Sequence, residues 1–599
     1  MSAAEYSFHG RVGVITLNNP PVNGLGHALR INLLAGLERA AADAGIEAVV
    51  LTGAGNAFSG GADIREFDTP KIRMSPTVQE IICRIEAFTK PVIAAIHKVA
   101  MGGGLELALG CHFRVAVRGA RIALPEVTLG LLPGAGGTQR LPRAIGPRAA
   151  LEMIVGGKPV ETENAAQMGL LDCVIVGELL AGAIAFAGEV VGERRPLKRL
   201  RDVTPKMDDA AAFFAEARSR MAKQSRGQPA PMKCLECVEA ALTLPFDEGL
   251  ALEHRCAEEL ERTVESRALR HAFFGERAVT RIPDIPEGTE AREIRKAAVI
   301  GAGAIGGGIA KAFANAGIPV TLLEIDQDYA GIADADFVIE SVSGDLDAKQ
   351  SVFETLDRVM KGNAILATNT STLEVSRIAA LTRRPQDVIG THFAFPADAT
   401  RLIEIVRGAK TSNEAVATAM RLARSLRKVG VVSGACDGFI GSRMLEPYMQ
   451  QALFMLEEGA PAQDIDRALQ EWGMAVGPFA LSDLAGAGGY LRDVAGQPRV
   501  AHSKIGAQEI VERCIFALVN EAARILEEGV ALRTIDIDMI FLTGYGFPSY
   551  RGGPLFHADT IGLENVVAAM KNFRKGHHGE CWEVVPLLAR LASDKKTFH

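Results

Sequence analysis

Residues 296–326 read KAAVIGAGAIGGGIAKAFANAGIPVTLLEID. The apolar run 297–300 predicts a strand, and Gly301, Gly303 and Gly306 follow it in the spacing G-x-G-x-x-G. Small residues over 309–316 predict a helix, and a second apolar run, 319–323, predicts a strand that closes on Glu324. In such a unit the first glycine allows the tight turn, the second lets backbone approach a pyrophosphate and the third lets helix pack on strand. The pyrophosphate sits on the helix N-terminus, where unpaired N–H groups and the dipole favour an anion. Gly301, Gly303, Ile305 and Gly306 are therefore the expected cofactor contacts. Glu324 stands where it accepts from a ribose 2′-OH, which selects NAD over NADP.

The chain is 599 residues long, so it holds about three or four domains. It is 48% hydrophobic and 23% charged, with a formal net charge of −7, and so carries no electrostatic footprint for nucleic acid. No apolar run reaches the ~18 residues of a membrane span; the best, 174–190, is interrupted by Glu178 and Glu189. The N-terminal MSAAEYSFHGRVGVITL has no secretory pattern, and Thr597-Phe598-His599 is not a peroxisomal tripeptide. A bacterial cytoplasm, rather than a peroxisome, is the expected compartment. Nine cysteines without framework spacing read as reduced thiols. Cys234 and Cys237 form a lone C-x-x-C, read as two cysteines on a helix; no metal site is expected.

Before residue 190, strands are expected over 12–17, 48–52 and 91–96, with a helix over 28–42. Two glycine-bearing loops follow strands: Phe58-Ser59-Gly60-Gly61-Ala62-Asp63-Ile64 and Met101-Gly102-Gly103-Gly104-Leu105-Glu106, the second entering a helix over 105–109. Exposed N–H groups at such places suit an oxyanion. Ala123-Leu124-Pro125-Glu126 and Leu132-Pro133-Gly134-Ala135-Gly136-Gly137-Thr138-Gln139-Arg140 come next. Together these segments resemble the enoyl-CoA hydratase/isomerase (crotonase) family over most of 5–190. The resemblance implies that the N–H groups of Ala62 and Gly103 form an oxyanion hole for a thioester carbonyl, with Glu106 and Glu126 as the paired carboxylates. Such a pair can hold one water between a base and an acid. Lys98 departs from the family, which usually has glycine there.

Residues 191–290 read as a charged helical linker, with one long helix over 249–279, similar to the segment joining the two halves of the bifunctional β-oxidation enzymes. Beyond the glycine turn, 337–340 and 364–367 read as further strands. Asn369-Thr370-Ser371, Ile389-Gly390-Thr391-His392-Phe393 and Glu404 resemble the L-3-hydroxyacyl-CoA dehydrogenase family. The resemblance makes His392 the base, Glu404 its orienter, Ser371 a substrate contact, and Lys349 and Asn369 neighbours of the cofactor. Departures are Ser442 in place of a site asparagine, Phe395 within H-F-A-F-P, and Gly344 in place of an acid. The family's helical excursion between Glu324 and Phe337 is also missing, as is a stretch between Arg492 and Ile505. We expect the chain to be broken near 327–331 and 496–507, with segments unaccounted for, rather than deleted.

Leu456-Glu457-Glu458-Gly459, Asp464-Ile465-Asp466 and Gly477-Pro478-Phe479 recur 70 to 76 residues later as Leu526-Glu527-Glu528-Gly529, Asp536-Ile537-Asp538 and Gly553-Pro554-Leu555. Two copies of a helical domain are expected, and in the bifunctional family the second replaces a dimer partner, which implies a monomer. The expected fold class is α/β plus all-α: a crotonase-like domain (1–190), the helical linker (191–290), a Rossmann NAD-binding domain (291–435), and duplicated helical domains (436–500 and 505–599). The expected function is hydration of trans-2-enoyl-CoA followed by NAD-dependent oxidation of (3S)-hydroxyacyl-CoA, with Δ3,Δ2-enoyl-CoA isomerase activity in the first site. Acyl-CoA thioesters are the expected partners, and association with a thiolase is left open. The rival readings are a hydratase/isomerase with an impaired dehydrogenase half, and a non-catalytic subunit that binds acyl-CoA or NAD.

Overall fold

Six strands, Ala4–His9, Val12–Leu17, Ala48–Gly53, Val92–Ile96, Phe113–Val117 and Cys173–Ile175, lie side by side in that order. Only the first pair is antiparallel. The inner strands are apolar runs because the sheet is covered on both faces: helix Leu179–Gly192 seals one with Phe186, Ala187 and Val190, and the larger core lies on the other. This computed structural model describes residues 3–67, 69–342, 346–370, 375–434, 436, 438–484 and 505–599. The chain divides into two compact units, Met1–Arg267 and Ala268–His599.

That division cuts through the stretch read as a linker. Helices Ala210–Gln224, Ala230–Thr243 and Phe246–Glu261 bury Phe213, Phe214, Leu235, Val238, Cys256 and Leu260 in the core of the first unit. Residues 191–267 are thus part of that unit and not a spacer. The expected single helix over 249–279 is two, Phe246–Glu261 and Val264–Ala278. Thr263 makes the break, its Oγ1 accepting from the N–H of Ser266 at 3.2 Å as an N-cap. A three-stranded sheet (Val99–Met101, Arg121–Ala123, Val160–Glu161) completes the unit, and Cys234 and Cys237 are buried on one helix.

In the second unit seven strands run in the order Val320–Leu323, Ala297–Ile300, Phe337–Glu340, Ile365–Thr368, Val388–Phe393, Leu402–Arg407, Val429–Gly434. All neighbours are parallel except Val388–Phe393 against Leu402–Arg407. Strand Ala297–Ile300 has its successors on opposite sides, which makes its carboxyl end the topological switch point where open α/β sheets bind ligands. The break expected near 327–331 does not occur. Residues 325–336 form a continuous short connection: Asp328 caps the 3-10 turn Tyr329–Ile332, and Tyr329 Oη donates to the carbonyl of Ile325 at 3.0 Å. No excursion interrupts this connection. The place near 496–507 falls partly outside the described residues. Helices Gly441–Glu457 and Ala507–Glu527, one from each copy of the repeat, pack into a common core with Met444, Tyr448, Met455, Cys514, Leu518 and Ile525.

Candidate active sites

In the first unit the loop 58–63 is laced to residues 97–101: Phe58 N–H donates to His97 O (3.3 Å), Ser59 N–H to Val99 O (3.2 Å) and Met101 N–H to Ser59 O (3.0 Å). This lacing brings two donors together. A Cβ built on Gly103 would lie 3.4 Å from the nitrogen of Ala62, and one on Gly61 3.2 Å from the nitrogen of Gly103. Gly61 has φ +95°, so a side chain there would be strained as well as obstructive. The Gly103 N–H opens helix Gly103–Gly110 and adds the dipole of that end. Lys98 has φ +50°, a left-handed conformation that glycine adopts without cost, and its Nζ donates to Asn56 Oδ1 at 2.6 Å.

Glu106 is 3% exposed, and its Oε1 accepts from the N–H groups of Ala135 and Gly137, both at 2.8 Å. Glu126 opens the short turn Glu126–Leu129; its Oε2 is buried without a hydrogen-bond partner among the described residues. Burial, then the nearby Glu106 charge, push the Glu126 carboxyl well above the ordinary range. Burial raises Glu106 too, against the pull of its two N–H donors. Carboxyls that repel in a dry site do not all ionise together, so one is held as acid while another is base.

A third carboxylate was not foreseen. Glu253, 0% exposed on helix Phe246–Glu261, accepts from Gly136 N–H (2.6 Å), Thr138 N–H (2.9 Å) and Thr138 Oγ1 (2.6 Å). Four consecutive N–H groups at the start of helix Gly137–Ile145 therefore alternate between Glu106 and Glu253. Burial and the Glu106 charge push Glu253 up to about 8. Beneath the turn, Arg140 (0% exposed side chain) pairs with Glu86 at 2.6 and 3.0 Å.

In the second unit the glycine turn has the expected form. Gly301 has φ +101°, and a Cβ on Gly306 would stand 1.8 Å from the carbonyl oxygen of Gly301. Around Gly303 nothing lies within 4 Å of the Cβ position, leaving the backbone open to a ligand at the N-terminus of helix Ala304–Asn315. Ile305 is 40% exposed there. Glu324 Oε2 lies 3.5 Å from the N–H of Ala302, beside the turn. These residues fit a dinucleotide: open glycine backbone, a helix N-terminus and an acid beside the turn.

His392 and Glu404 are partners in the antiparallel register and share one face of the sheet. Nδ1 of His392 stands 3.7 Å from Glu404 Oε2 and has no hydrogen-bond partner among the described residues. Glu404 is 0% exposed, and its oxygens accept from Ile440 N–H (2.7 Å) and Gly441 N–H (3.3 Å) at the start of helix Gly441–Glu457. Ser442, one residue on, hydrogen-bonds Tyr545, a hydroxyl raised by burial and by the Glu404 charge. Asn369 Oδ1 accepts from the N–H of Phe393 at 3.0 Å and so fixes the strand beside His392. Lys349 is 3% exposed and bound to Glu340 at 2.7 and 2.8 Å, while Thr368 Oγ1 donates to Glu340 at 2.8 Å. Lys349 therefore braces the end of strand Phe337–Glu340 through an ion pair. Ser371 and Gly344 lie outside the described residues.

Comparison with known proteins matches both units. Residues 7–225 match the family described as enoyl-CoA hydratase/isomerase, and 296–333 and 321–436 match the NAD binding domain of 3-hydroxyacyl-CoA dehydrogenase. Residues 438–499 and 510–597 each match the C-terminal domain of that dehydrogenase, so the repeat is a domain duplication. The peroxisomal bifunctional enzyme of Danio rerio is 38% identical over 97% of this chain and 96% of its own. This chain belongs to the bifunctional enoyl-CoA hydratase/3-hydroxyacyl-CoA dehydrogenase family. The human peroxisomal bifunctional enzyme is 35% identical (95% of this chain, 94% of the relative). The Arabidopsis thaliana peroxisomal fatty acid beta-oxidation multifunctional protein MFP2 is 32% identical (97% and 95%). The NAD-domain match falls into two pieces that overlap at 321–333, where the connection is short. NAD is the cofactor of this family's dehydrogenase domain. Among the described residues no helix is long and apolar enough to cross a membrane.

Proposed function

We propose that the chain hydrates trans-2-enoyl-CoA thioesters in its first unit and oxidises the resulting (3S)-hydroxyacyl-CoA in its second. The observation that carries this reading is that both sets of reacting groups occur in one polypeptide: carboxylates that raise one another beside paired amide donors, and an imidazole registered against a buried carboxylate on the same sheet as a dinucleotide turn. In the first site the N–H groups of Ala62 and Gly103 take the thioester oxygen as negative charge develops on it. Each such donor contributes about 3 kcal/mol to the transition state. Glu106 and Glu126 hold one water between them: the ionised member takes its proton as oxygen adds at C3, and the protonated member delivers a proton to C2. One of the two, shuttling a proton between C2 and C4, suffices for isomerisation of a 3-enoyl thioester.

In the second site NAD, when bound at the glycine turn, supplies the hydride acceptor. Nε2 of His392 takes the substrate hydroxyl proton, Glu404 stabilises the imidazolium through Nδ1, and the N–H groups of Ile440 and Gly441 hold the Glu404 carboxylate in place. Glu324 accepts from the ribose, and Asn369, Lys349 and Ser442 position the strand ends around the site; Ser371 is proposed as a substrate contact. The packed duplicate domains support activity as a monomer, and the nine free cysteines support a reducing compartment, for which we propose a bacterial cytoplasm. The short connection before Phe337 favours one alternative, a hydratase whose dehydrogenase half is weakened. Purified protein given a short enoyl-CoA with and without NAD separates the two: hydration plus NADH supports the proposal, and hydration alone supports the alternative. No turnover at all refutes both.

A further inference from the structure

Asp466 and Asp538 are equivalent residues of the two helical copies, and each caps a helix. Asp466 accepts from Phe479 N–H and Ala480 N–H, both at 3.0 Å; Asp538 accepts from Leu555 N–H (2.8 Å) and Phe556 N–H (3.2 Å). The glycines before these helices, Gly477 and Gly553, each crowd their aspartate so closely that a Cβ would stand 2.3 and 2.4 Å from Oδ1. The capping task is therefore the same in both copies. The second copy adds something capping does not need. Nε2 of His271 and Nε2 of His599 both lie 3.0 Å from the same oxygen, Asp538 Oδ2. Asp466 belongs to no such histidine-bearing group among the described residues.

The three groups converge from distant stretches, a helix at 271, the repeat at 538 and residue 599. Their ligand atoms all lie within 4.8 Å of one another. Asp538 is 0% exposed and the histidine side chains 14% and 22%, so the cluster is shielded but reachable. Ligands about 2.0–2.2 Å from one tetrahedral ion stand a little over 3 Å apart; each imidazole nitrogen lies 3.0 Å from Asp538 Oδ2, and the two nitrogens lie within 4.8 Å of each other. Nδ1 of His599 lies 3.0 Å from Thr534 Oγ1, an acceptor for an Nδ1 proton that leaves Nε2 free to coordinate. Phe556, stacked on His271 with ring centroids 4.7 Å apart, fixes the second imidazole.

We propose that His271, Asp538 and His599 form a binding site for a divalent transition metal, zinc being the best match to two imidazoles and one carboxylate, with water as fourth ligand. The ion would pin residue 599 and the helix carrying His271 to the second helical copy as a structural clamp.

The test uses the full chain freed of metal with a chelator. Zinc affinity is measured by competition with a chromophoric chelator, and added Co²⁺ is followed by its visible absorption. The wild type should take up one Zn²⁺ per chain at micromolar affinity or tighter and melt at a higher temperature with zinc. His271→Ala and His599→Ala should each weaken binding at least tenfold and abolish the zinc-dependent shift. His577→Ala, in a separate Glu457/His577/His578 group, should change neither. Thr534→Val leaves the three ligands intact and should weaken binding several-fold, which keeps the test decisive if a histidine variant folds poorly. A wild type that takes up no stoichiometric zinc, or uptake that survives in His271→Ala and His599→Ala alike, overturns the proposal.

Discussion

Replacing Glu253 probes the reasoning about the first site, because nothing but its place at the turn 135–138 gives it a role. Glu253→Gln keeps one carbonyl oxygen but sets an amide NH₂ where the other oxygen now accepts from Thr138, at 2.9 Å from its N–H and 2.6 Å from its hydroxyl. The hydroxyl can turn to accept, whereas the N–H is left without a partner, at about 1–3 kcal/mol. Glu253→Ala orphans the N–H of Gly136 as well, for about 2–6 kcal/mol in all. At about 2–4 °C per kcal/mol for a domain of this size, the glutamine variant should melt some degrees lower and the alanine variant clearly lower again. Because the same turn presents the N–H donors of Glu106, hydratase kcat should fall about 10- to 100-fold, which is about 1.4–2.7 kcal/mol in the barrier. NAD-dependent oxidation serves as the internal control and should stay within twofold. The pH dependence has a definite sign. The folded carboxyl titrates near 8 and the unfolded one near its ordinary value, so the folded state holds the extra proton in between. Wild-type stability is lost as pH rises through that window, while the glutamine variant has nothing to lose, so the gap between them should narrow from pH 6 to pH 9. Unchanged hydratase kcat and melting in both variants, or an equal loss of oxidation, would refute the reasoning.

Other outcomes follow from single contacts. Gly306→Ala places a methyl 1.8 Å from a backbone carbonyl that cannot swing away, so NAD affinity measured by titration should drop more than tenfold while hydration persists. Arg140→Ala leaves Glu86 buried and unpaired, and denaturant unfolding of the first unit should show a loss of about 3–5 kcal/mol. Glu404→Gln removes the charge facing His392 and should lower oxidation kcat about 10²- to 10⁴-fold with little change in substrate KM.

Much of the architecture was legible because its signals are local. The glycine turn, its flanking strands and Glu324 lie within 30 residues, and each glycine has a steric reason visible in the pattern. Glu106 was marked by the Met101–Glu106 motif that carries the family resemblance. Glu253 did not: it sits 115 residues from Thr138 on a helix that also carries Asp247, Glu248, Glu258, Glu259 and Glu261, and no periodicity separates a buried acid from solvated neighbours. For the same reason 191–267 read as a spacer, although its apolar face completes the first core. The helix break at Thr263 was written in a capping residue and was overridden by the length of the apolar pattern. Strand Val429–Gly434, an edge of the second sheet, carries two glycines and follows a helix, which hides its period. The approach of His392 to Glu404 depends on a strand register that no spacing reveals by itself.

The central claim is two independent reaction centres in one chain, and crossed variants test it most directly. Initial rates of enoyl-CoA hydration and of NADH formation from (3S)-hydroxyacyl-CoA are measured side by side for Glu126→Gln and His392→Ala. The account predicts that Glu126→Gln abolishes hydration and spares oxidation, and that His392→Ala does the reverse. Loss of both activities in either single variant would contradict it.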